Sequence, residues 1–312
     1  MTNENLQQEM VRQLKMFAPQ EGYNLTALPD VRILRSDRPL ARTPVLYDPG
    51  IVIVCQGSKR GFFGDQIYLY DEQHYLAVSV PVPFTMETAA SEQHPLLAIY
   101  MHLDFNLAAE LMLQLEQQAV PFEARAAQSM MSSPMDENLR EVILRFLKVL
   151  SHPLDAAMLG QSLIREIYYR VLTGPQGSAL RAALNLQGQF GKVGKALRYI
   201  HSYYVRPLNL SQLAAVAGMS VPTFHTHFKS ITHQSPMQYL KSVRLHQARM
   251  LMVRQEITVI AACYAVGYQS ASQFNREFKR LFGLPPAAEI KRMQSHFAVP
   301  PAQQASEFVS SH

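Results

Sequence analysis

Gln273-Phe274-Asn275-Arg276-Glu277-Phe278-Lys279 stands fifty residues after Thr223-Phe224-His225-Thr226-His227-Phe228-Lys229. Phe, Phe and Lys recur in register, and each copy is followed seven residues on by Pro236 or Pro286. Each is also preceded by a run of small residues ending in glycine. The first run is Leu213-Ala214-Ala215-Val216-Ala217-Gly218 and the second is Ala262-Cys263-Tyr264-Ala265-Val266-Gly267, after which the turn is one residue longer. At roughly 100° per residue, Phe224, Phe228 and Ile231 share one side of a helix, as do Phe274, Phe278 and Leu281. The repeat therefore predicts one unit used twice: a short helix, a tight turn and a second helix that hides one face.

The faces left over carry the chemistry. Opposite the phenylalanines the first copy presents Pro222, His225, Thr226 and Lys229, and the second Ser272, Asn275, Arg276 and Lys279, with Arg280 alongside. Arg and Asn have the donor geometry that reads guanine and adenine edges, and lysines neutralise phosphates. Alanines 214, 215, 217, 261, 262 and 265 are expected to let the second helix approach the first. Gly218 and Gly267 suit a turn that needs positive φ, and Ser220 and Pro222 suit a helix start. This is the make-up of a helix-turn-helix. Between the copies, Tyr239–Val253 reads as one continuous helix with Leu240, Val243, Leu245 and Leu251. Such a helix could hold two recognition helices one DNA turn, about 34 Å, apart.

Charge agrees. Residues 191–292 carry 14 Lys and Arg against 3 Asp and Glu, whereas residues 1–190 carry 15 against 20. A small basic region beside a mildly acidic one attracts a polyanion, commonly nucleic acid. Two cysteines more than 200 positions apart, Cys55 and Cys263, suit a reducing cytoplasm. The longest apolar runs are too short to span a bilayer, and the polar start MTNENLQQEMVRQLKMF is not a secretory signal.

Upstream, residues 25–105 read as β structure, in short runs of β-branched and aromatic residues broken by turns. Examples are Ile51–Cys55, Gln66–Tyr70 and Tyr75–Val80. Their spacing predicts a barrel or sandwich. Residues 106–120, 137–151 and 155–172 show helical spacing, the last two with apolar stripes expected to supply a two-fold dimer contact. Five glycines between 174 and 194 place a boundary near residue 190.

The segment from about 195 to 293 resembles the AraC/XylS family of bacterial regulators. The residues that carry the likeness run Ala265-Val266-Gly267-Tyr268-Gln269-Ser270-Ala271-Ser272-Gln273-Phe274-Asn275-Arg276-Glu277-Phe278-Lys279-Arg280-Leu281-Phe282-Gly283, with Leu284-Pro285-Pro286 after them. Cys263 stands where that family usually has alanine, Ala287-Ala288-Glu289 replaces a Tyr-containing ending, and His233 replaces the glycine expected after the first recognition helix. Residues 40–105 resemble the effector domain of one branch of the family, through Tyr47-Asp48-Pro49, Ile51–Lys59 and Tyr75–Ser79. The resemblance implies a cupin-like β-barrel followed by helices, and names no ligand.

The expected fold is a two-domain α+β chain. It has an N-terminal helical segment (1–24), a cupin-like β-barrel domain with helices (25–173), a linker (174–194), an all-α double helix-turn-helix domain (195–293) and a flexible tail (294–312). The expected function is a cytoplasmic, sequence-specific transcription regulator that is not an enzyme and uses no cofactor or metal. A small-molecule effector in the N-terminal domain would modulate its promoter binding. Expected partners are double-stranded promoter DNA, the effector, RNA polymerase and a second copy of the chain. Cys55, Lys59, Tyr70, His74 and Tyr100 are the candidate effector contacts, each of a type that packs as readily as it binds. Two other classes fit the sequence less well. A cupin-type metal enzyme needs clustered ligands, but His74, His94 and His102 are scattered, and His225 and His227 point about 200° apart on a helix. A non-specific architectural nucleic-acid binder would not need two spaced recognition helices.

Overall fold

A computed structural model of the chain describes residues 3–118, 125–185 and 188–296. It opens with helix α1 (Asn3–Phe17) and continues through nine strands: β1 (Gly22–Leu25), β2 (Val31–Ser36), β3 (Leu40–Tyr47), β4 (Gly50–Gln56), β5 (Ser58–Phe63), β6 (Gln66–Asp71), β7 (His74–Val78), β8 (Val82–Ala89) and β9 (Leu96–His102). Then come α2 (Phe105–Gln117), β10 (Met130–Pro134), α3 (Glu137–Leu150), α4 (Pro153–Thr173), α5 (Gly177–Leu184) and α6 (Gln189–Tyr203). The remainder is helical: α7 (Leu210–Val216), α8 (Val221–Thr232), α9 (Pro236–Gln255), α10 (Val259–Ala265), α11 (Ala271–Phe282) and α12 (Pro286–His296). Among the described residues no helix is long and apolar enough to cross a membrane.

The strands form one antiparallel sheet in the order β1-β2-β9-β4-β7-β6-β5-β8-β3, with β10 beside β7. The expected barrel is thus a curled half-barrel, because the end strands β1 and β3 do not meet. Period-two alternation gives the sheet two apolar faces. Ile51, Ile53 and Cys55 of β4 and Leu97, Ile99 and Met101 of β9 face a core built with α1 to α5. Val52, Val54, Leu96, Ala98 and Tyr100 face the inside of the curl. That inner core does not end with the sheet. It runs on through Val193, Leu197 and Ile200 of α6, Phe224 and Phe228 of α8, and Tyr239 and Val243 of α9. The second helical unit has a separate core of Leu245, Ala248, Met252, Ala262, Cys263, Phe274, Phe278 and Phe282.

Several expectations change. Within the expected linker, 177–184 fold as α5 and 189–194 as the start of α6, because Ala179, Leu180 and Leu184 are buried against the helical core. The apolar stripe of α3 is spent internally, since Leu139, Ile143, Leu147 and Leu150 are all buried. On α4 only part of the stripe is covered: Ile167 is buried, while Met158 and Leu159, like Leu154 before them, remain exposed. Of the expected tail, residues 294–296 end α12, and 297–312 lie outside the described residues.

Polar bonds fasten the helical part to the sheet. The Tyr239 hydroxyl donates to the Pro81 carbonyl at 2.9 Å and meets His201 Nε2 at 2.7 Å. Ser129 Oγ donates to the Ile231 carbonyl at 2.6 Å. Arg249, fully buried on α9, pairs with Glu289 at 3.2 Å and donates to the Pro44 carbonyl of β3 at 3.0 Å. A buried guanidinium left without its carboxylate would be costly, so this ion pair ties α9, α12 and β3 together.

Candidate nucleic-acid interface

The two halves of the repeat share their backbone chemistry. Asn209 caps α7 through a reciprocal pair with Gln212, and Thr258 caps α10 by accepting from the Ala261 amide. After α7, Gly218 takes φ +63°; its amide donates to the Ala215 carbonyl and that of Met219 to Ala214. After α10, Gly267 takes φ +86°, with Gly267 to Tyr264 and Tyr268 to Cys263 in the same two-bond pattern. Both are Schellman turns, which re-use the orphan carbonyls at a helix end and need a residue in the left-handed region. Ser220 then caps α8 and Ser270 caps α11. The extra residue in the second turn leaves this geometry unchanged. The small residues contribute unequally: Ala214, Ala217 and Ala262 are buried in the helix contact, whereas Ala215, Ala261 and Ala265 are exposed.

The far ends match as well. His233 and Gly283 both adopt left-handed backbone, at φ 55° and 80°, and their amides close on the Lys229 and Lys279 carbonyls. His233 therefore serves in the glycine position despite its side chain. Its ring is seated edge-on against Phe63, with centroids 4.5 Å apart.

On the buried sides lie Phe224 and Phe228 of α8 and Phe274, Phe278 and Phe282 of α11. On the open sides Pro222, Thr226 and Lys229 of α8 are exposed and His225 is half-buried, while Ser272, Asn275, Arg276, Lys279 and Arg280 of α11 are all exposed. Lys229, Arg276, Lys279 and Arg280 have no carboxylate partner among the described residues. The acids go elsewhere. Glu289 takes Arg249 and Arg292 inside the fold, and Glu277 takes Lys241. Two of the three acids of this region are thus folded inward, the third, Glu256, stands exposed at the end of α9, and cationic charge is left on the outer faces.

Glu277 was missed in the sequence, where it reads as one more polar residue of an amphipathic helix. It is buried on the phenylalanine side and accepts from Lys241 Nζ at 2.8 Å, the Tyr268 hydroxyl at 2.7 Å and Gln273 Nε2 at 3.2 Å. Burial pushes its carboxyl up, but these hydrogen bonds outweigh burial and hold it below the usual carboxylate value. It fixes α11 to α9, and so positions the preceding residue, Arg276, without reaching outward itself.

The five candidate effector contacts do not assemble. Cys55 faces the helical core on the opposite side of the sheet from Lys59, Tyr70 and Tyr100, because alternation along β4 sends it there. Burial pushes its thiol up to about 12, which makes it an inert core residue. His74 sits at the rim, half-buried and bonded to Asp71 at 2.9 Å. Lys59 and Tyr70 are cross-strand neighbours inside the curl, with Lys59 Nζ 3.1 Å from the Tyr47 hydroxyl. Burial holds the Lys59 amine down near 7. Among the described residues no group of three or more His, Cys, Asp or Glu is placed to hold a metal ion.

Comparison with known proteins agrees with this geometry. Residues 27–179 match the model of the AraC-type transcriptional regulator N-terminus, and residues 213–292 match that of a helix-turn-helix domain. The regulator AlkR of Acinetobacter baylyi is 35% identical over 95 residues, 30% of this chain and 31% of that protein. ExsA of Pseudomonas aeruginosa is 26% identical over 144 residues, 46% of this chain and 50% of that protein. The matched stretches thus span between about a third and a half of those relatives. Among solved structures, ToxT of Vibrio cholerae with an unsaturated fatty acid bound has the same fold, with a TM-score of 0.56 at 11% identity over 87% of this chain and 97% of that one. A β half-barrel joined to two helix-turn-helix units defines a two-domain regulator by class. The chain belongs to the AraC/XylS family of transcriptional regulators.

Proposed function

We propose that this protein is a sequence-specific DNA-binding transcription regulator of the cytoplasm, whose hold on a promoter is modulated by a small-molecule effector bound through its N-terminal half. The observation that carries the reading is the duplicated unit. Each copy has a Schellman turn, a phenylalanine-anchored second helix and an outer face with unpaired cations. Pro222, His225, Thr226 and Lys229 meet one major groove, and Ser272, Asn275, Arg276, Lys279 and Arg280 the next. Helix α9, with 20 residues, is about 30 Å long, close to one DNA turn. RNA polymerase is the further partner such a promoter complex would meet. The exposed Met158 and Leu159 of α4 are the part of the expected stripes left to pair with a second copy, with the exposed Leu154 beside them.

Footprinting of the purified protein on the DNA upstream of its own gene tests the reading. Two protected patches on one face of the duplex, about 34 Å apart, are expected. Equal affinity for that DNA and for random sequence would overturn it in favour of an architectural binder.

A further inference from the structure

The two turns of the repeat are alike in backbone but not in surroundings. A Cβ added at Gly218 would meet open space, whereas at Gly267 it would run into the Val205 carbonyl. Val205 belongs to the loop between α6 and α7, and α6 packs on α7 and α8. The first unit therefore reaches across to the second at this point. Helix-turn-helix chemistry is common to both copies, so a contact made by only one of them has another purpose. It is a joint between the copies.

Arg244, half-buried on α9, grips the same loop. Its Nε donates to the Tyr204 carbonyl at 2.7 Å and its Nη2 to the Arg206 carbonyl at 2.8 Å. A guanidinium holds such donors in a rigid fork, which an ammonium cannot do. Both carbonyls follow the C-terminal end of α6, where a cation is favoured. Three successive carbonyls are thus engaged from outside their own loop: those of 204 and 206 by Arg244, and that of 205 against the Gly267 turn. The Tyr204 ring packs against both the core shared with the sheet and the separate core of the second unit. Burial disfavours the Arg244 charge, and the nearby Glu277 carboxylate supports it. Lys241, which anchors α11 through Glu277, stands one turn earlier on α9. One side of α9 therefore braces both units.

We propose that Arg244 is a positioning residue that fixes the relative rotation of the two recognition helices, and so selects operators by the spacing between their half-sites. The selection rests on the proposed function; the joint itself does not. Helix α9 alone sets a distance along its axis but leaves each unit able to swivel about its end. The clamped loop gives the units a second connection, off that axis, and removes the swivel. Two linked readers gain avidity only where both engage at once. One inserted base pair shifts a half-site by about 3.4 Å and turns it by about 35°. A loose pair of units follows that change and a braced pair does not. The braced pair also binds its matched spacing more tightly, because little ordering is left to be done on binding.

Two measurements on the full chain test this. The first needs no DNA. Spin labels at Ser211→Cys on α7 and Ile260→Cys on α10, exposed and equivalent positions of the repeat, read the separation of the units; the native Cys55 and Cys263 are buried. One narrow distance is expected with Arg244 in place, and a broader distribution in Arg244→Met and in Arg244→Lys, which keeps the charge but not the fork. The second uses the duplex upstream of the protein's own gene and copies with one or two base pairs inserted or removed between its two protected patches. Wild type should lose roughly tenfold in affinity on the first altered base pair. Arg244→Met should bind the native spacing about tenfold more weakly, spread less than about threefold across the series, and bind either half-site alone as wild type does. A variant that merely destabilised the second unit would instead weaken that unit's half-site alone. Four results would overturn the proposal: a broad distance already in wild type, a flat wild-type spacing series, an Arg244→Met series as steep as wild type, or full rescue by Arg244→Lys. A narrow, Arg244-dependent distance in a chain that does not prefer this duplex to random DNA would keep the joint and sink the proposed function.

Discussion

Glu277→Gln should loosen the second recognition helix in a way that depends on pH. The carboxylate is 7% exposed and holds three donors from three places: Lys241 on α9, Tyr268 in the turn and Gln273 on its own helix. A hydrogen bond to a charged acceptor contributes about 1.5–3 kcal/mol. Lys241 is 36% exposed, so its share is reduced by solvent screening. The amide keeps one acceptor oxygen but turns an NH₂ group toward donors. The expected loss is therefore about 3 kcal/mol at neutral pH. At an m-value of about 2 kcal/mol/M, the urea midpoint should fall by roughly 1.5 M. The folded carboxyl lies below its ordinary 4.5. Its stabilisation is thus fully present above that value and is lost as pH falls through the lowered folded value. Urea titrations followed by circular dichroism at several pH values should show the gap between wild type and Glu277→Gln closing in acid. A gap under about 0.5 kcal/mol at pH 7, or one that stays constant or widens as pH drops, would refute the assigned role.

The two turn glycines should differ when replaced. Gly218→Ala meets left-handed backbone but open space and should cost about 1–2 kcal/mol, whereas at Gly267 an added Cβ would also overlap the Val205 carbonyl. Thermal melts should rank Gly267→Ala well below Gly218→Ala; equal losses would mean that the second turn has room the structure does not show. Arg276→Ala should leave the melting temperature unchanged and remove about 1–3 kcal/mol of DNA binding, concentrated at one base pair. A panel of single-base operator variants at fixed salt checks this, and uniform loss with intact discrimination would make Arg276 a phosphate contact. Lys229→Ala and Lys279→Ala should weaken all DNA alike and each lower the salt slope by about one; a loss confined to one base would contradict that role.

Much of the C-terminal half could be read from residue order, because helix-turn-helix chemistry is local. The Phe-x-x-x-Phe spacing, the glycine before each second helix and the serine caps all act within a dozen residues, so periodicity and turn preference identify them. The outward residues followed from the inward ones by rotation about the helix. Glu277 escaped because its role depends on Lys241, 36 positions away on α9, which no local pattern links to it. In the N-terminal half, strand existence was legible, but which side of the sheet each candidate faced was not. Cys55 and Lys59 lie four positions apart across the turn at Gly57, yet they end on opposite faces. The glycines between 174 and 194 marked a boundary by composition, yet 177–184 are helical because their alanines and leucines find a core supplied by distant helices.

The sequence alone therefore determined the duplicated unit, its cationic outer faces and a β-rich partner region, since each rests on short-range backbone and side-chain preference. Tertiary structure alone decided that the sheet stays an open half-barrel whose inner core is shared with the first unit. It also decided that Arg249 and His233 seat the helices on β3 and β5. These are contacts between residues as far as 205 positions apart. They arise when apolar faces are buried together, and that burial depends on the assembled surface rather than on chain order.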